Sequence, residues 1–242
     1  MSEPVRPYKD SKSGKKEQVA KMFDNIAWRY DFLNHLLSFG IDKYWRRSAI
    51  RELREIKPAF ILDIATGTGD FALEAMRLKP EKIFGIDISA DMLAIGKKKI
   101  TDKKLTGRIE LLEGDSENLI FQDNKFDAVI VAFGVRNFEN LEKGLSEMLR
   151  VLRPGGKTVI LEFSKPKSVI ISGLYTFYSS KITPWIGKKL SKDPAAYGYL
   201  HESVMAFPEG ETFKEILRKC GFNNVSDRRM TMGVVSVYTG TK

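Results

Sequence analysis

The sequence predicts an α/β fold: a mostly parallel seven-stranded sheet with helices on both faces, a helical cap ahead of it, and a helical cover inserted between the fifth and sixth strands. Three features lead there. From Phe60 onward, short apolar runs alternate with segments of helical apolar spacing, the pattern of βαβ units and a parallel sheet. The first run, FILDIATGTGD over Phe60–Asp70, passes through Asp63 into a Gly-Thr-Gly turn lying between a strand and a helix. Four successive strands then end near residues able to hold a ligand, beyond the strand carboxyl ends where open α/β sheets bind.

Taken in order, residues 1–18 are rich in Lys, Ser, Pro and Gly and read as a flexible basic arm. Residues 19–58 form the cap. Val19 to Leu37 places apolar residues near 3.6 spacing, which predicts one or two amphipathic helices, and Trp45 to Ile56 predicts another that stops before Pro58. The core, 60–163, predicts strand Phe60–Ile64, helix Phe71–Leu78 and strand Lys82–Asp87. Ser89 caps helix Ala90–Lys99, and strands Ile109–Glu113 and Phe126–Ala132 follow. Helix Leu141–Leu152 leads through an Arg153-Pro-Gly-Gly turn to strand Lys157–Phe163. Residues 165–207 break the rhythm. They are basic and aromatic, and predict a substrate cover with an amphipathic, membrane-facing character. Within 208–242, helix Glu211–Cys220 ends at Gly221, and Val225–Thr231 with Val234–Thr239 predict a closing antiparallel pair.

The glycine loop predicts nucleotide-type binding. Gly67 and Gly69 let the chain turn sharply and let a ligand approach without meeting a Cβ, and the helix start adds free N–H donors. Gly67-x-Gly69-x-x-Ala72 with Asp87 also satisfies a dinucleotide pattern. Asp63 and Asp70 would repel a pyrophosphate, whereas the Asp63 carboxylate can orient the loop and face the cationic methionine end of S-adenosylmethionine. The oxidoreductase reading stays open, to be separated by direct cofactor binding.

Composition narrows the partners. One cysteine, Cys220, rules out an internal disulfide framework and suits a reducing cytoplasm. With only two histidines beside it, no metal site is expected. The longest apolar stretches fall well short of the roughly 20 residues that span a bilayer, and no secretory signal is expected. The net charge of +9 is unevenly placed: residues 1–60 hold thirteen Lys/Arg against eight Asp/Glu, and residues 165–193 hold six against one. Such segments can serve an anionic membrane or nucleic acid, or be solvated charge alone.

Asp-x-x-x-Gly-x-Gly, an acid ending the second strand, Gly114-Asp115 after the third and Arg153-Pro-Gly-Gly before the fifth together resemble class I methyltransferases, which are Rossmann-like. Closer resemblance lies in MFDNIAWRYDFLN from Met22, SFGIDKYWRR from Ser38, FGVRNF from Phe133, LEFSKP from Leu161, Tyr197-Gly-Tyr-Leu-x-x-Ser203 and Phe207-Pro208. With these the chain resembles the UbiE/MenG family of ubiquinone/menaquinone C-methyltransferases over about 19–240.

That resemblance implies S-adenosylmethionine-dependent C-methylation of a polyprenylated quinol, with demethylmenaquinol to menaquinol the preferred reaction. It implies cofactor contacts at Thr68, Asp87, Asp115 and Ser116, beside Asp63, Gly67, Gly69, Ile88 and Phe133. Asp87 can accept ribose hydroxyls, and Asp115 the adenine amino group. Arg136 and Asn137 are the expected substrate-side catalytic pair, the first stabilising a quinolate or ordering a water and the second fixing a ring oxygen. Tyr197 and His201 are further catalytic candidates, and Arg29 and Tyr30 substrate-binding ones. Because a quinone is electron-poor, the reduced ring is the expected nucleophile. The expected partners are the quinol, the membrane surface and, as one admissible assembly, a second copy in a homodimer, with no nucleic acid. The expected location is the cytoplasm, peripheral to the inner face of its membrane. An RNA or protein methyltransferase and a non-catalytic cofactor-binding scaffold are the rival readings, and methyl turnover separates them.

Overall fold

The computed structural model describes residues 5–166, 193 and 195–242. Among them seven strands form one sheet in the order β3-β2-β1-β4-β5-β7-β6. The strands are β1 Phe60–Ile64, β2 Lys82–Asp87, β3 Ile109–Glu113, β4 Phe126–Ala132, β5 Leu152–Phe163, β6 Asn223–Met230 and β7 Val235–Thr241. Strands β1 to β5 pair in parallel, and β7 inserts antiparallel between β5 and β6. The strand order reverses between β1 and β4, so their carboxyl ends open a crevice.

Both faces of the sheet are covered, which is why β1 and β4 are almost wholly apolar and buried. On one face Trp45 and Ala49 of α2 (Ile41–Ile50) and Phe71 and Ala75 of α3 (Asp70–Ala75) pack with Ile61, Ile83 and Ile130. Leu93 and Ile100 of α4 (Ala90–Asp102) join the same cluster. On the other face Leu145 and Met148 of α5 (Leu141–Val151) and Phe213 and Leu217 of α7 (Glu211–Lys219) pack with Leu62, Val129 and Tyr238. A third cluster joins α1 (Lys15–Leu37), α4 and α6 (Ala195–Ala206) through Val19, Met22, Met92 and Tyr199. Through that cluster the cap is seated against the ends of the strands.

Several boundaries differ from expectation. A single helix, α1, begins at Lys15, inside the segment read as an arm, and buries Lys15 and Gln18. Ahead of it, Tyr8 bonds Asp193 through its hydroxyl and its N–H donates to Gln18 Oε1 (2.9 Å), so polar contacts hold part of that stretch in place. The helix expected to run to Leu78 keeps α geometry only to Ala75 and tightens to a 3-10 turn before Lys79, whose φ is +57°. The Arg153–Gly156 turn lies inside β5 as a bulge: the register with β4 passes from Phe126↔Leu152 to Ala128↔Lys157. Most of the expected cover at 165–207, including Lys188, Lys189 and Lys192, lies outside the described residues.

Candidate active site

The crevice is built on two strained turns. After β1 the chain enters Ala65 with φ +52°, and after β4 it enters Phe133 with φ +59°, both in the left-handed region that residues with a Cβ rarely adopt. The turns lock together: a Cβ on Gly134 would lie 2.6 Å from that of Ala65, so only glycine fits. Gly67, at φ +55°, has nothing within 4 Å of its Cβ position and leaves the loop open above it.

Two acids organise this floor. Asp63 is buried, and its Oδ2 accepts from the Thr66 hydroxyl at 2.6 Å. Burial pushes its pKa up to about 7, with the Thr66 hydrogen bond opposing. Asp87 ends β2. Its Oδ2 accepts from the Gly67 N–H (2.7 Å) and its Oδ1 from the Ser89 N–H (2.9 Å), while burial pushes its pKa up to about 6.

A cleft stands above this floor. The sheet side contributes six of the predicted cofactor residues, Gly67, Asp87, Ile88, Asp115, Ser116 and Phe133, together with Asn137. Lys16, Val19, Phe23 and Tyr30 of α1 form the opposite wall. Lys16 Nζ reaches across the rim to Asp115 Oδ2 (2.6 Å) and Glu117 Oε2 (3.7 Å).

The other predicted residues fall elsewhere. Asp63 and Gly69 support the loop from behind the wall. Thr68, expected at the cofactor, turns away: its hydroxyl donates to Asp31 Oδ1 (2.6 Å) and accepts from Lys99 Nζ (2.9 Å). Those bonds, with the Lys99–Asp31 ion pair at 2.5 Å, tie the loop to α1 and α4. Arg29 lies over the Trp28 ring at 4.0 Å, off the wall. His201 is half-buried on α6, also off the wall, and the Tyr197 side chain lies outside the described residues.

Arg136 sits behind Asn137, buried. Its Nη1 bonds the Phe133 carbonyl and pairs with Glu162 Oε1 at 2.8 Å, while its Nε has no partner among the described residues. Glu162 is fully buried; burial pushes its carboxyl up, and Arg136 opposes that shift. Lys15 Nζ donates to the carbonyls of Arg136 (3.1 Å) and Phe138 (2.8 Å), and burial, helped by the Arg136 charge, pulls its pKa down to about 8.

Sequence reasoning missed Tyr199, whose hydroxyl donates to Asn137 Oδ1 at 3.1 Å. Burial pushes that phenol up to about 12, so it remains a donor at neutral pH. Helical phase could have found it: Ala196, Tyr199 and Ser203 share the buried face of α6. Glu162 and the α1 wall residues Lys16, Val19 and Phe23 were missed as well. Their signals, an acid inside an apolar strand and a helix dense in polar groups, were present but did not point to a particular partner.

The donor set fits an adenosyl amino acid: an acid at the end of β2, an open glycine loop next to it, and Asp115 and Ser116 after β3. Fold and site together define a class I S-adenosylmethionine-dependent methyltransferase. A methyltransferase from Thermotoga maritima, described as a possible histamine N-methyltransferase, superimposes with a TM-score of 0.66 at 20% identity, over 92% of this chain and 99% of its own.

The chain belongs to the ubiE/COQ5 methyltransferase family, which matches residues 10–242. The demethylmenaquinone methyltransferase of Bacteroides fragilis is 50% identical over 99% of this chain and 98% of its own length. The ubiquinone/menaquinone biosynthesis C-methyltransferase UbiE of Geotalea daltonii is 46% identical over 94% of this chain and 97% of its own.

Proposed function

We propose that this chain methylates a ring carbon of a polyprenylated quinol, with demethylmenaquinol to menaquinol as its main reaction. The observation that carries this reading is the 50% identity, over nearly full length on both sides, to a demethylmenaquinone methyltransferase. A second substrate, a benzoquinol precursor of ubiquinone, is favoured by the 46% identity to an enzyme named for both quinones.

S-adenosylmethionine supplies an electrophilic methyl group when bound, so the chain must place it and hold an electron-rich ring carbon in line. Asp87 would receive the ribose hydroxyls, with Asp115 and Ser116 holding the adenine end and the Gly67 loop the methionine end. Asn137 orients the ring: with its Oδ1 held by the Tyr199 hydroxyl and one amide N–H directed to the Phe133 carbonyl (3.5 Å), its other amide N–H is left to donate to a quinol oxygen. Arg136 keeps the Asn137 turn in place through Glu162 and the Phe133 carbonyl, and its positive charge favours an ionised ring oxygen nearby. Tyr30, on the α1 wall, covers the ring pocket. The enzyme works from the cytoplasm at the inner membrane face, where its substrate's tail is dissolved. Among the described residues no helix is long and apolar enough to cross a membrane, and the contact proposed is peripheral.

The test is methyl transfer from labelled S-adenosylmethionine to chemically reduced demethylmenaquinol, with the oxidised quinone and a ubiquinol precursor in parallel. Label is expected in the naphthoquinol and not in the oxidised ring. Equal labelling of the oxidised quinone would refute the mechanism, and absence of label from both quinols, with cofactor bound, would refute the function.

A further inference from the structure

Lys15 is a buried amine to which the reaction as described gives no part. It opens α1 and is only 9% exposed, an unusual place for a lysine. Burial pulls its pKa down to about 8, and the neighbouring Arg136 charge acts in the same direction. A cation buried beside a like charge needs a compensating contact.

That contact is the turn carrying Asn137. Val135–Asn137 is a single 3-10 turn, and the chain leaves helical geometry at Phe138, whose ψ is 138°. So short a turn leaves the carbonyls at its end without partners inside it. Lys15 Nζ takes two of them, the Arg136 carbonyl at 3.1 Å and the Phe138 carbonyl at 2.8 Å, one on either side of Asn137. The reverse contact comes from the same stretch. Helix α1 starts after Gly14, which has no side chain to cap it, and the Lys15 N–H donates instead to Glu139 Oε1 at 2.8 Å. A Cβ on Gly14 would lie 3.2 Å from that oxygen, so the approach is close. Each segment caps the other: the amine closes the turn, and the carboxylate closes the helix.

The other anchors of the turn are less complete. Arg136 holds it through Glu162 and the Phe133 carbonyl, but its Nε has no partner among the described residues. Tyr199 holds the Asn137 side chain and not its backbone. The charges around the amine are Arg136 on the turn, Glu117 after β3 and Glu139 ahead of α5. Glu162 on β5 lies beyond Arg136, and Tyr199 on α6 lies beyond Asn137. Glu117 is already engaged by the N–H groups of Glu139 (2.8 Å) and Asn140 (3.0 Å). Two cations, Lys15 and Arg136, therefore adjoin the turn whose amide is to meet a ring oxygen.

We propose that Lys15 is a positioning residue for methyl transfer: it fixes the Asn137 turn from the start of α1 and adds its charge to that of Arg136 in favour of an ionised ring oxygen. Lys15 is not among the residues that line the crevice, so it acts through Asn137 and not on the substrate. The proposal rests on the quinol-methylation reading and gives that site a part from the far end of the chain. Two opposed pH trends follow. Ionisation of the ring hydroxyl raises the rate, and loss of the Lys15 proton lowers it as pH rises through about 8.

The test compares the full-length wild type with Lys15→Met, which keeps the stem without donors or charge, and Lys15→Arg, which keeps both and stays protonated. Single-turnover methylation of reduced demethylmenaquinol is followed across about pH 6 to 10, beside cofactor affinity and amide hydrogen exchange. In Lys15→Met the rate at saturating quinol should fall about 10- to 100-fold, with cofactor affinity and quinol KM within about twofold of wild type. Its falling limb above pH 8 should be gone. Lys15→Arg should recover the rate to within about fivefold and hold it level at alkaline pH. The Asn137 and Phe138 N–H groups donate to the carbonyls of Gly134 (3.0 Å) and Val135 (3.2 Å). Their exchange should quicken at least about tenfold in Lys15→Met, with the β4 amides unchanged. An unchanged rate in Lys15→Met, persistence of its falling limb, or exchange that quickens equally in β4 would each overturn the proposal, the last by marking a purely structural amine. A wild type that methylates no quinol would count against the reaction, and the exchange comparison would still decide whether Lys15 fixes the turn.

Discussion

Asp87 shows how one side chain couples the loop to its ligand. Its carboxylate holds the Gly67 N–H and faces the cleft, and burial raises its pKa to about 6. Hydrogen bonds from ribose need the ionised form, so cofactor affinity should be constant above pH 7 and fall as pH drops through 6. Isothermal titration across pH 5–8 checks this. Asp87→Asn should weaken binding by roughly 10- to 100-fold, the size of one or two hydrogen bonds to a charged acceptor, and flatten that pH dependence. For folding the sign is opposite. The folded state holds a proton that the unfolded chain releases near 3.8, so this group's contribution to stability declines as pH rises from about 4 to 6 and is level above. Tyr199 acts on the other side of the cleft. Tyr199→Phe frees the Asn137 amide to rotate, and kcat for quinol methylation should fall about tenfold with cofactor affinity unchanged, which single-turnover kinetics would register.

Helix α1 and the two strained turns set the element scale. Three polar ties hold α1 over the crevice: Lys16 to Asp115, Asp31 to Thr68 and Lys99, and Asp24 to the Ser89 hydroxyl at 2.6 Å. Asp31→Asn removes the charge from the middle tie, and cofactor release should quicken about fivefold in stopped-flow, with Kd rising in step. Gly134→Ala pushes a Cβ against Ala65, a contact that cannot relax without moving a backbone turn, so Tm should fall with a stability loss of about 1–3 kcal/mol. These elements also mark what the sequence made legible. Strands β1 to β4 were readable to the residue, because each is a short, mostly apolar run bounded by turn residues or by the polar start of the next element. The crevice followed from where those strands end. The side on which Thr68 would lie was not readable, since a left-handed turn reverses the facing of each residue after it. Nor was the Arg136–Glu162 pair, in which an acid within the apolar run of β5 meets an arginine 26 positions earlier.

For the whole molecule, the positive charge sits apart from the cofactor floor. The acids Asp63, Asp87, Asp115 and Glu117 line or underlie the cleft, while exposed cations are spread over the outer surface, the cap included. Vesicle binding should therefore weaken as salt rises from 50 to 500 mM, while cofactor affinity changes little, and parallel titrations would separate the two. The position of α1 also bears on how the protein is made. Apart from the short stretch around Tyr8, the partners α1 packs on leave the ribosome after it: Lys15 waits for a carbonyl 121 residues later, and Val19 and Met22 share a cluster with Tyr199. The first helix synthesised is thus among the last to be placed, and its apolar faces stay uncovered until strand β4 and helix α6 have emerged. Nascent chains halted before that point should be the ones that chaperones hold.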